Sequence, residues 1–347
     1  MPSHPDLFET DPAFVLPASD VAAGPRRRGT ARVEPAEISD ALKRLAADLS
    51  PLLRFGTSSW YFPGWAGLVF ARDYPQPSLS RHGLEAYARH PLLRTVSLDR
   101  SFYRPMPAAD YARLAAQVPD DFRFVVKAAS AVTDASVREV GSGLPAQPNP
   151  LFLDPAMARD EVVAPAVEGL RHKLGVLVFQ ISPLTPPWLA DEGRWLAALD
   201  RLFEALPRPE HGLLALEVRD ARLLTPELAA LLKAQGVRYC VGLHDRMPPL
   251  EDQLPMLRAT WPGALVCRWN LQRGLRYAQA KDKFEPFDRL VAPDPSTRTA
   301  LARLIAATAG AEQPVYVTIN NKAEGSAPLS VFELAAAVRA QTSAAPG

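Results

Sequence analysis

Short apolar segments alternate with amphipathic segments along most of the chain. Eight of the apolar segments are rich in branched and aromatic residues and have the length of buried strands. They span residues 52–58, 92–99, 122–128, 175–181, 213–219, 237–243, 264–270 and 315–320. Roughly 37 residues separate one from the next, which leaves room for a crossover helix and is too long for hairpins.

Helix signals lie between these segments. The pattern predicts a helix from Ser80 to His90, and Pro107 precedes another amphipathic segment. Gly236 follows the last turn of a third predicted helix. Ser330 and Glu333 have the spacing of a capping box, which predicts that the last helix begins there.

Eight strand–helix units are the number and size expected of an α/β fold of the TIM-type (β/α)8 barrel class. A doubly wound open sheet is the competing fold. It usually carries a glycine-rich phosphate loop after its first strand, and GTSSWYFPG (56–64) does not match that pattern. The sequence therefore predicts one barrel domain over residues 52–341 and leaves open how regular the barrel is.

The flanking segments differ from the barrel in pattern. Residues 1–35 are rich in proline and lack periodicity, so we expect a mobile amino-terminal tail, and we expect a short second tail at 342–347. Residues 36–51 are predicted to form an amphipathic helix that docks on the barrel, with Pro35 at its start. The apolar positions at helical spacing are Ile38, Leu42, Leu45 and Leu49.

Composition and charge exclude several classes of protein. The 347 residues carry 39 basic and 38 acidic side chains, so no overall field favours nucleic acid or a membrane. No apolar run approaches the ~20 residues that span a bilayer, and the acidic start is unlike a secretory signal. Two cysteines exclude a disulfide framework and indicate a reducing compartment. We therefore expect a cytoplasmic protein that does not contact a membrane.

Polar residues end most of the predicted strands, where the chemistry of such barrels lies. Buried without partners, each would cost about 1–3 kcal/mol, so they must pair with one another, bind a ligand, or both. One such residue alone is better explained by structural pairing, for example of Lys127 with Glu217, but the whole set favours a ligand site. The set is Asp99, Lys127, Gln180, Glu217, Arg219, Arg268, Asn270, Asn320 and Asn321.

The residue types narrow the ligand and the chemistry. Cationic and amide groups outnumber carboxylates and match a carboxylate or phosphate, so we expect an anionic small molecule as partner. Glu217 or Asp99 is the candidate base, and Lys127 would stabilise developing negative charge. The aromatic side chains in the same places either stack on a ligand or plug the barrel mouth. As ligand contacts we select Trp60, Tyr61 and Tyr103.

Metal and cofactor motifs are missing from the sequence. The histidines and cysteines lack ligand spacing, and neither a Walker loop nor a G-x-S-x-G elbow is present. We therefore expect no metal and no cofactor. A magnesium site on Asp99, Glu217 and Asp245 is kept as an alternative.

Several motifs together resemble the YecE-like family, domain of unknown function 72, over about residues 52–340. They are GTSSWYFPGW (56–65), TVSLDRSFYRPM (95–106), DDFRFVVKA (120–128), KLGVLVFQISP (173–183), ALEVRD (215–220) and VYVTINNKAEGSAP (315–328). The resemblance implies a TIM-type barrel and supplies no established reaction. Fold analogy with endonuclease IV and sugar isomerases suggests phosphate or nucleic-acid ligands.

This sequence departs from the family pattern at five positions. Ser97 and Asp99 stand where typical members have glutamate and asparagine. Asp134, Asp220 and Asn270 stand where typical members have histidine. Acid–base or metal chemistry that relies on those groups would be changed or lost. The matching residues are Lys127, Gln180, Glu217, Arg219, Arg268, Asn320 and Asn321.

Three functions fit these observations. We favour an enzyme acting on an anionic small molecule, and the alternatives are a nucleic-acid-binding barrel and a catalytically inactive scaffold. The second rests on residues 271–289, where basic and aromatic side chains interleave. Residues 129–158 are predicted to lack regular structure, either as a lid or as a static covering. The sequence leaves the oligomeric state open.

Overall fold

Eight parallel strands close into a barrel in the computed structural model, which describes residues 32–137 and 146–344. Every strand pairs with its neighbours in chain order, and the chain from Val33 on forms one compact unit. This confirms the predicted TIM-type barrel. The strands are β1 (Leu53–Thr57), β2 (Leu93–Leu98), β3 (Arg123–Lys127), β4 (Leu174–Ile181), β5 (Leu213–Val218), β6 (Arg238–Leu243), β7 (Leu265–Trp269) and β8 (Val315–Ile319).

Helices follow each strand, as the crossover connections of a parallel barrel require. They are α1 (Asp40–Ala47), α2 (Gln76–His82), α3 (Leu84–Tyr87), α4 (Arg100–Tyr103), α5 (Ala108–Ala115), α6 (Ser130–Thr133), α7 (Pro155–Ala158), α8 (Ala164–Leu170), α9 (Pro186–Leu189), α10 (Glu192–Ala205), α11 (Pro226–Ala234), α12 (Leu250–Ala259), α13 (Tyr277–Phe284), α14 (Pro295–Gly310) and α15 (Ala327–Ala344). A π-helical turn, Arg159–Val163, joins α7 to α8.

The inward faces of the strands form an apolar layer below a polar one. The apolar layer is a separate core cluster of small and branched residues. Two residues further along the strands the inward positions become polar, because side chains alternate between the two faces of a strand. The apolar layer includes Val125, Val176, Val178, Ala215, Cys240, Val266 and Tyr316. The polar layer thus faces the carboxyl ends of the strands.

The helix predicted over residues 36–51 is shorter than expected. It begins at Asp40 because the Ser39 hydroxyl accepts a hydrogen bond from the backbone N–H of Leu42. Pro35 is therefore not its first residue. Instead the backbone of Ala36 donates to the carbonyl of Val69, which ties this segment to the loop after β1.

The predicted tails also differ from the structure. Val33 is buried in the main core, so residues 33–35 belong to the domain. Residues 1–31 of the predicted amino-terminal tail lie outside the described residues. At the other end α15 continues to Ala344, into the segment predicted as a tail.

The capping box predicted at Ser330 and Glu333 is wrong. The last helix begins at Ala327, whose backbone N–H donates to the side chain of Asn321 at 2.8 Å. Glu333 forms an ion pair with Arg298 instead. The side chain of Asn321, six residues before the helix, thus takes the place of the predicted cap.

Two further segments contain different elements from those predicted. The helix expected from Ser80 to His90 is two short helices, the first of which starts earlier, at Gln76. Residues 129–158 were expected to be irregular, yet their described part contains α6, α7 and an antiparallel pair of two-residue strands, Ser136–Val137 and Gln147–Pro148. Residues 138–145 lie outside the described part.

Gly56 is the glycine of the G-T-S motif, and close strand contact explains it. A Cβ added there would overlap the backbone oxygen of Thr95 on the adjacent strand β2. We expect Gly56→Ala to lower the free energy of unfolding by about 2 kcal/mol, since overpacking forces the backbone to move. Urea denaturation measures the change. Gly310→Ala is the control, because its Cβ would meet nothing within 4 Å, and an equal loss there would contradict the argument.

Candidate functional site

Seven of the predicted site residues meet in the polar layer at the carboxyl end of the barrel. They come from β2, β3, β4, β5 and β7 or from the residue that follows the strand, so the parallel order brings them together. Direct hydrogen bonds join six of them, and charge interaction adds Lys127. The seven are Asp99, Lys127, Gln180, Glu217, Arg219, Arg268 and Asn270.

Glu217 lies fully buried at the centre of this layer. Nη1 of Arg268 donates to its Oε2 at 2.7 Å, and Nη2 of Arg219 lies 2.8 Å from its Oε1. The amide of Asn270 donates weakly to Oε1 at 3.4 Å. Gly242 on β6 makes the room, since a Cβ there would stand 3.1 Å from Oε1. A buried carboxylate persists only when its charge is paired, so the predicted base is enclosed by its own partners.

Asp99 is the second carboxylate of the layer, and its side chain is 33% exposed. Its Oδ1 accepts from Nη2 of Arg268 at 2.9 Å and from the Ser97 hydroxyl at 2.6 Å. Arg268 therefore bridges both carboxylates. Burial opposes its charge, but Glu217 and Asp99 outweigh burial and hold the pKa of Arg268 above its usual range.

Arg219 is less completely paired than Arg268. Its Nη2 bonds Glu217 and also donates to the side-chain oxygen of Gln180 at 3.1 Å. Within the described part of the chain, its Nε is buried without a hydrogen-bond partner. Burial lowers the pKa of Arg219, while Glu217 acts in the opposite direction. Arg219 thus retains donors that the network does not use.

Lys127 ends β3 beside this network and, among the described residues, has neither an ion pair nor a hydrogen bond for its amine. Its Nζ lies 3.3 Å from the centre of the Phe102 ring. The ring face favours the charged amine by about 0.5–2 kcal/mol. Asp99 also favours the charged amine. Burial and the nearby Arg268 guanidinium disfavour the charged amine more strongly, and the pKa of Lys127 falls to about 7.

Two further titratable groups lie close to the layer. Asp134 accepts a hydrogen bond from the Ser182 hydroxyl. Burial raises the pKa of Asp134, while Ser182 and the charge of Lys127 lower it. His244 directly follows β6. Burial, and secondly the charge of Arg219, lower its pKa to about 3. Its imidazole is therefore neutral near pH 7.

Three predicted ligand contacts have structural partners instead. Trp60 is buried in the core, and its indole N–H donates to the carbonyl of Leu79. Asn321 accepts from the indole of Trp65 at 3.2 Å and caps α15. Asn320 accepts from the backbone of Lys322 within the same turn. The asparagine pair thus shapes the loop after β8.

The two predicted tyrosines lie nearer the rim. Tyr103 is 52% exposed and packs edge-on against Phe102, the ring that covers Lys127. Tyr61 is half-buried and stacks on Phe62 at 5.8 Å. Of the selected aromatic residues, Tyr103 therefore has the position closest to that expected of a ligand contact.

Residues 271–289 suggested nucleic-acid binding, but two of the three aromatic side chains in this segment are buried. Phe284 and Phe287 are buried in a small core of their own. Only Tyr277 remains exposed, and the amine of Lys322 lies 4.1 Å from the centre of its ring. The aromatic side chains of residues 271–289 thus serve mainly as anchors for the loop.

The described part of the chain contains no cluster of side chains arranged as metal ligands. In residues 32–137 and 146–344 no three His, Cys, Asp or Glu side chains converge as metal ligands. The alternative magnesium site fails because both oxygens of Glu217 bind arginine or asparagine donors. The same residues include no helix long and apolar enough to cross a bilayer.

Comparison with known proteins places the chain in a family. The sequence profile of "Protein of unknown function DUF72" matches residues 54–346. The chain belongs to the DUF72 family. A DUF72 family protein from Enterococcus faecalis V583 has a similar structure, with 18% identity, a TM-score of 0.55, and coverage of 82% of this chain and 95% of the other. No curated protein matches the sequence.

A second DUF72 structure supports the same fold. The protein from Thermotoga maritima MSB8 is 19% identical, with a TM-score of 0.55, and the match covers 81% of this chain and 97% of that one. At this level of identity the likeness concerns the fold alone. It agrees with the resemblance that the sequence motifs indicated.

Five residues of this DUF72 protein depart from the typical family pattern, and their surroundings differ from one another. Ser97 and Asp99 bond one another, and Asn270 joins the carboxylate of Glu217. Asp134 lies beside Lys127 and pairs with a serine. Asp220 lies outside the network and binds Arg222. Four of the five departures thus contribute to the polar layer.

Sequence reasoning missed Ser182 as part of the site. Ser182 comes two residues after Gln180, so the alternation along β4 would place both on the inward face. That signal was present in the sequence. Its partner Asp134, by contrast, lies 48 positions earlier in the chain, and no local pattern could have paired them.

Proposed function

We propose that this protein binds an anionic small molecule, carrying a carboxylate or phosphate, at the carboxyl end of its barrel beside Lys127. One observation carries the proposal. Arg268 already has two carboxylate partners and Arg219 has one, whereas Lys127 has none within the described chain. A ligand anion would supply the missing counter-charge and raise the pKa of the amine.

The surroundings of Lys127 support an anion rather than a cation. Three cationic side chains face the carboxylates of Asp99 and Glu217, and burial raises the pKa of Asp134, the third nearby acid. The charge of Arg219 acts on Lys127, and its Nε has no hydrogen-bond partner in the described residues. In this proposal Asp99, which is partly exposed, is the base that substrate can reach, and Glu217 positions the two arginines.

Thermal unfolding tests the proposal. At 100 times its dissociation constant, a bound anion adds about 2.7 kcal/mol and raises the melting temperature by several degrees. The probes are inorganic phosphate, pyruvate and a sugar phosphate, each compared with an uncharged analogue at equal ionic strength. We expect an anion-specific shift in the wild type that Lys127→Met abolishes.

Lys233→Met is the matched control, because Lys233 is exposed on α11. It should keep the full anion-specific shift. A shift that survives in Lys127→Met, or no shift with any anion, would contradict the proposal.

We also propose that the protein works in a reducing compartment such as the cytoplasm. Cys240 and Cys267 are both free and buried, which suits thiols that are never oxidised. Cell fractionation tests this, and recovery from a secreted fraction would contradict it.

A further inference from the structure

We propose that Lys127 is a nucleophile that forms an imine with a carbonyl compound, and that this compound also carries a carboxylate or phosphate. The proposal rests on the proposed function and names the substrate class of the same site. Its basis is the placement of one amine at the carboxyl end of the barrel, under an aromatic ring and next to two arginines, with no ion pair or hydrogen bond to the described residues.

Within the described residues, the amine of Lys127 lacks the hydrogen bonds and ion pairs that hold Arg219 and Arg268. The residue is partly exposed at the end of β3. By comparison, the amine of Lys173 donates to the carbonyls of Ala115 and Val118, which occupy its donors. Within the described residues, Lys127 is therefore the cation of the polar layer whose side chain has neither a hydrogen bond nor an ion pair.

A nucleophilic lysine must be neutral, and this site provides that condition. An ordinary lysine with a pKa near 10.4 is neutral in fewer than about 0.1% of molecules at pH 7. The pKa of Lys127 lies at about 7, so about half of its amines carry a lone pair at that pH. Desolvation together with a neighbouring cation is a general way to activate lysine.

The reaction balances without an oxidant or a reductant. The Nζ lone pair attacks the carbonyl carbon, and the carbonyl oxygen becomes the hydroxyl of a carbinolamine. Nζ gives one of its two protons to that oxygen as the hydroxyl forms. The hydroxyl then takes up one further proton and leaves as water while Nζ loses its second proton, and a C=N bond remains. Asp134 is near enough for the charge of Lys127 to act on it, and burial raises its pKa. It would donate the proton to the leaving hydroxyl and recover one from Nζ.

In this proposal the anionic group of the substrate binds Arg219 beside the amine. Arg219 is close enough for its charge to lower the pKa of Lys127, and its Nε has no partner in the described chain. A guanidinium binds carboxylate or phosphate well. The predicted substrate class is therefore a 2-oxo acid or a phosphorylated aldehyde or ketone.

Reductive trapping tests the proposal on the full chain. The protein is incubated at pH 7 with pyruvate or with dihydroxyacetone phosphate, and sodium cyanoborohydride converts any imine into a stable secondary amine. Digestion and mass spectrometry then locate the adduct. We expect labelling of Lys127 at least tenfold above that of Lys43, Lys173 and Lys233, and weaker labelling with uncharged dihydroxyacetone.

Inorganic phosphate separates this proposal from the proposed function, because it has no carbonyl and its thermal shift in the wild type reports anion binding alone. Lys127→Arg should remove the dominant adduct, since arginine cannot form the imine. Labelling spread evenly over the lysines, combined with an anion shift that depends on Lys127, would overturn the imine and leave anion binding intact. If the wild type shows neither dominant labelling of Lys127 nor an anion-specific thermal shift, both proposals are overturned.

Discussion

Replacing Glu217 with glutamine should lower the free energy of unfolding by about 3–5 kcal/mol, the largest effect that we expect from one substitution. Glutamine keeps the shape of the side chain and removes its charge. Among the described residues, the buried Arg268 would then keep Asp99 as its one carboxylate partner and the buried Arg219 would have none, and an uncompensated buried charge is costly. Urea denaturation at pH 7 measures the loss.

Asp40→Asn is the control for this substitution, because it also removes one carboxylate from an ion pair. Both side chains of the Asp40–Lys43 pair are more than half exposed, so its removal should cost below about 1 kcal/mol. The coupling is tested by Glu217→Gln together with Arg268→Met, which should cost less than the sum of the two single changes. Strict additivity would contradict a buried pair.

Replacing Lys127 with methionine should stabilise the unliganded protein by about 3 kcal/mol below pH 7. Methionine fills similar space and carries no charge. The pKa of Lys127 falls from 10.5 to about 7 on folding, so the charged amine costs stability in the folded state. The full shift corresponds to about 5 kcal/mol, and partial exposure of the side chain reduces this.

The sign of the pH dependence follows from the two pKa values. Below pH 7 the amine is protonated in both states, and the wild type bears the whole cost. Between about pH 7 and 10.5 the unfolded chain binds a proton that the folded protein has released, so wild-type stability rises relative to that of the variant. Above 10.5 both states are neutral and the difference disappears.

Denaturation of Lys127→Met and wild type at several pH values measures this convergence. Lys233→Met should differ from the wild type by less than about 0.5 kcal/mol at every pH, since its side chain is exposed. A stability difference at Lys127 that does not change with pH would show that its amine titrates like an ordinary lysine. The basis for the nucleophile proposal would then be removed.

The order of the strands followed from the sequence because the signals are local. Each barrel strand is a short apolar run, and each of the eight predicted segments coincides with an observed strand whose ends are shifted by one residue at most. Helix ends were less well predicted. The cap of α15 is the side chain of Asn321, six residues before Ala327, and a capping box could not reveal it.

The composition of the site was also visible along the chain. Lys127, Glu217 and Arg268 each end an apolar strand with a charge, and parallel strands bring such ends to one face of a barrel. Which charge neutralises which could not be predicted. The sequence suggested a pair of Lys127 with Glu217, and the structure pairs Glu217 with arginines instead.

Local patterns in the amino-acid sequence were sufficient to predict the barrel, the face on which polar side chains gather, and the family resemblance. These depend on alternation along single strands and on the spacing of strands and helices, which a linear chain records. The folded molecule was needed to see that Arg268 joins Glu217 and Asp99, which lie 51 and 169 positions away, and that Lys127 has no ion-pair partner among the described residues. Charge pairing depends on distances of a few ångströms between strands that are remote in the chain, and no local pattern contains those distances.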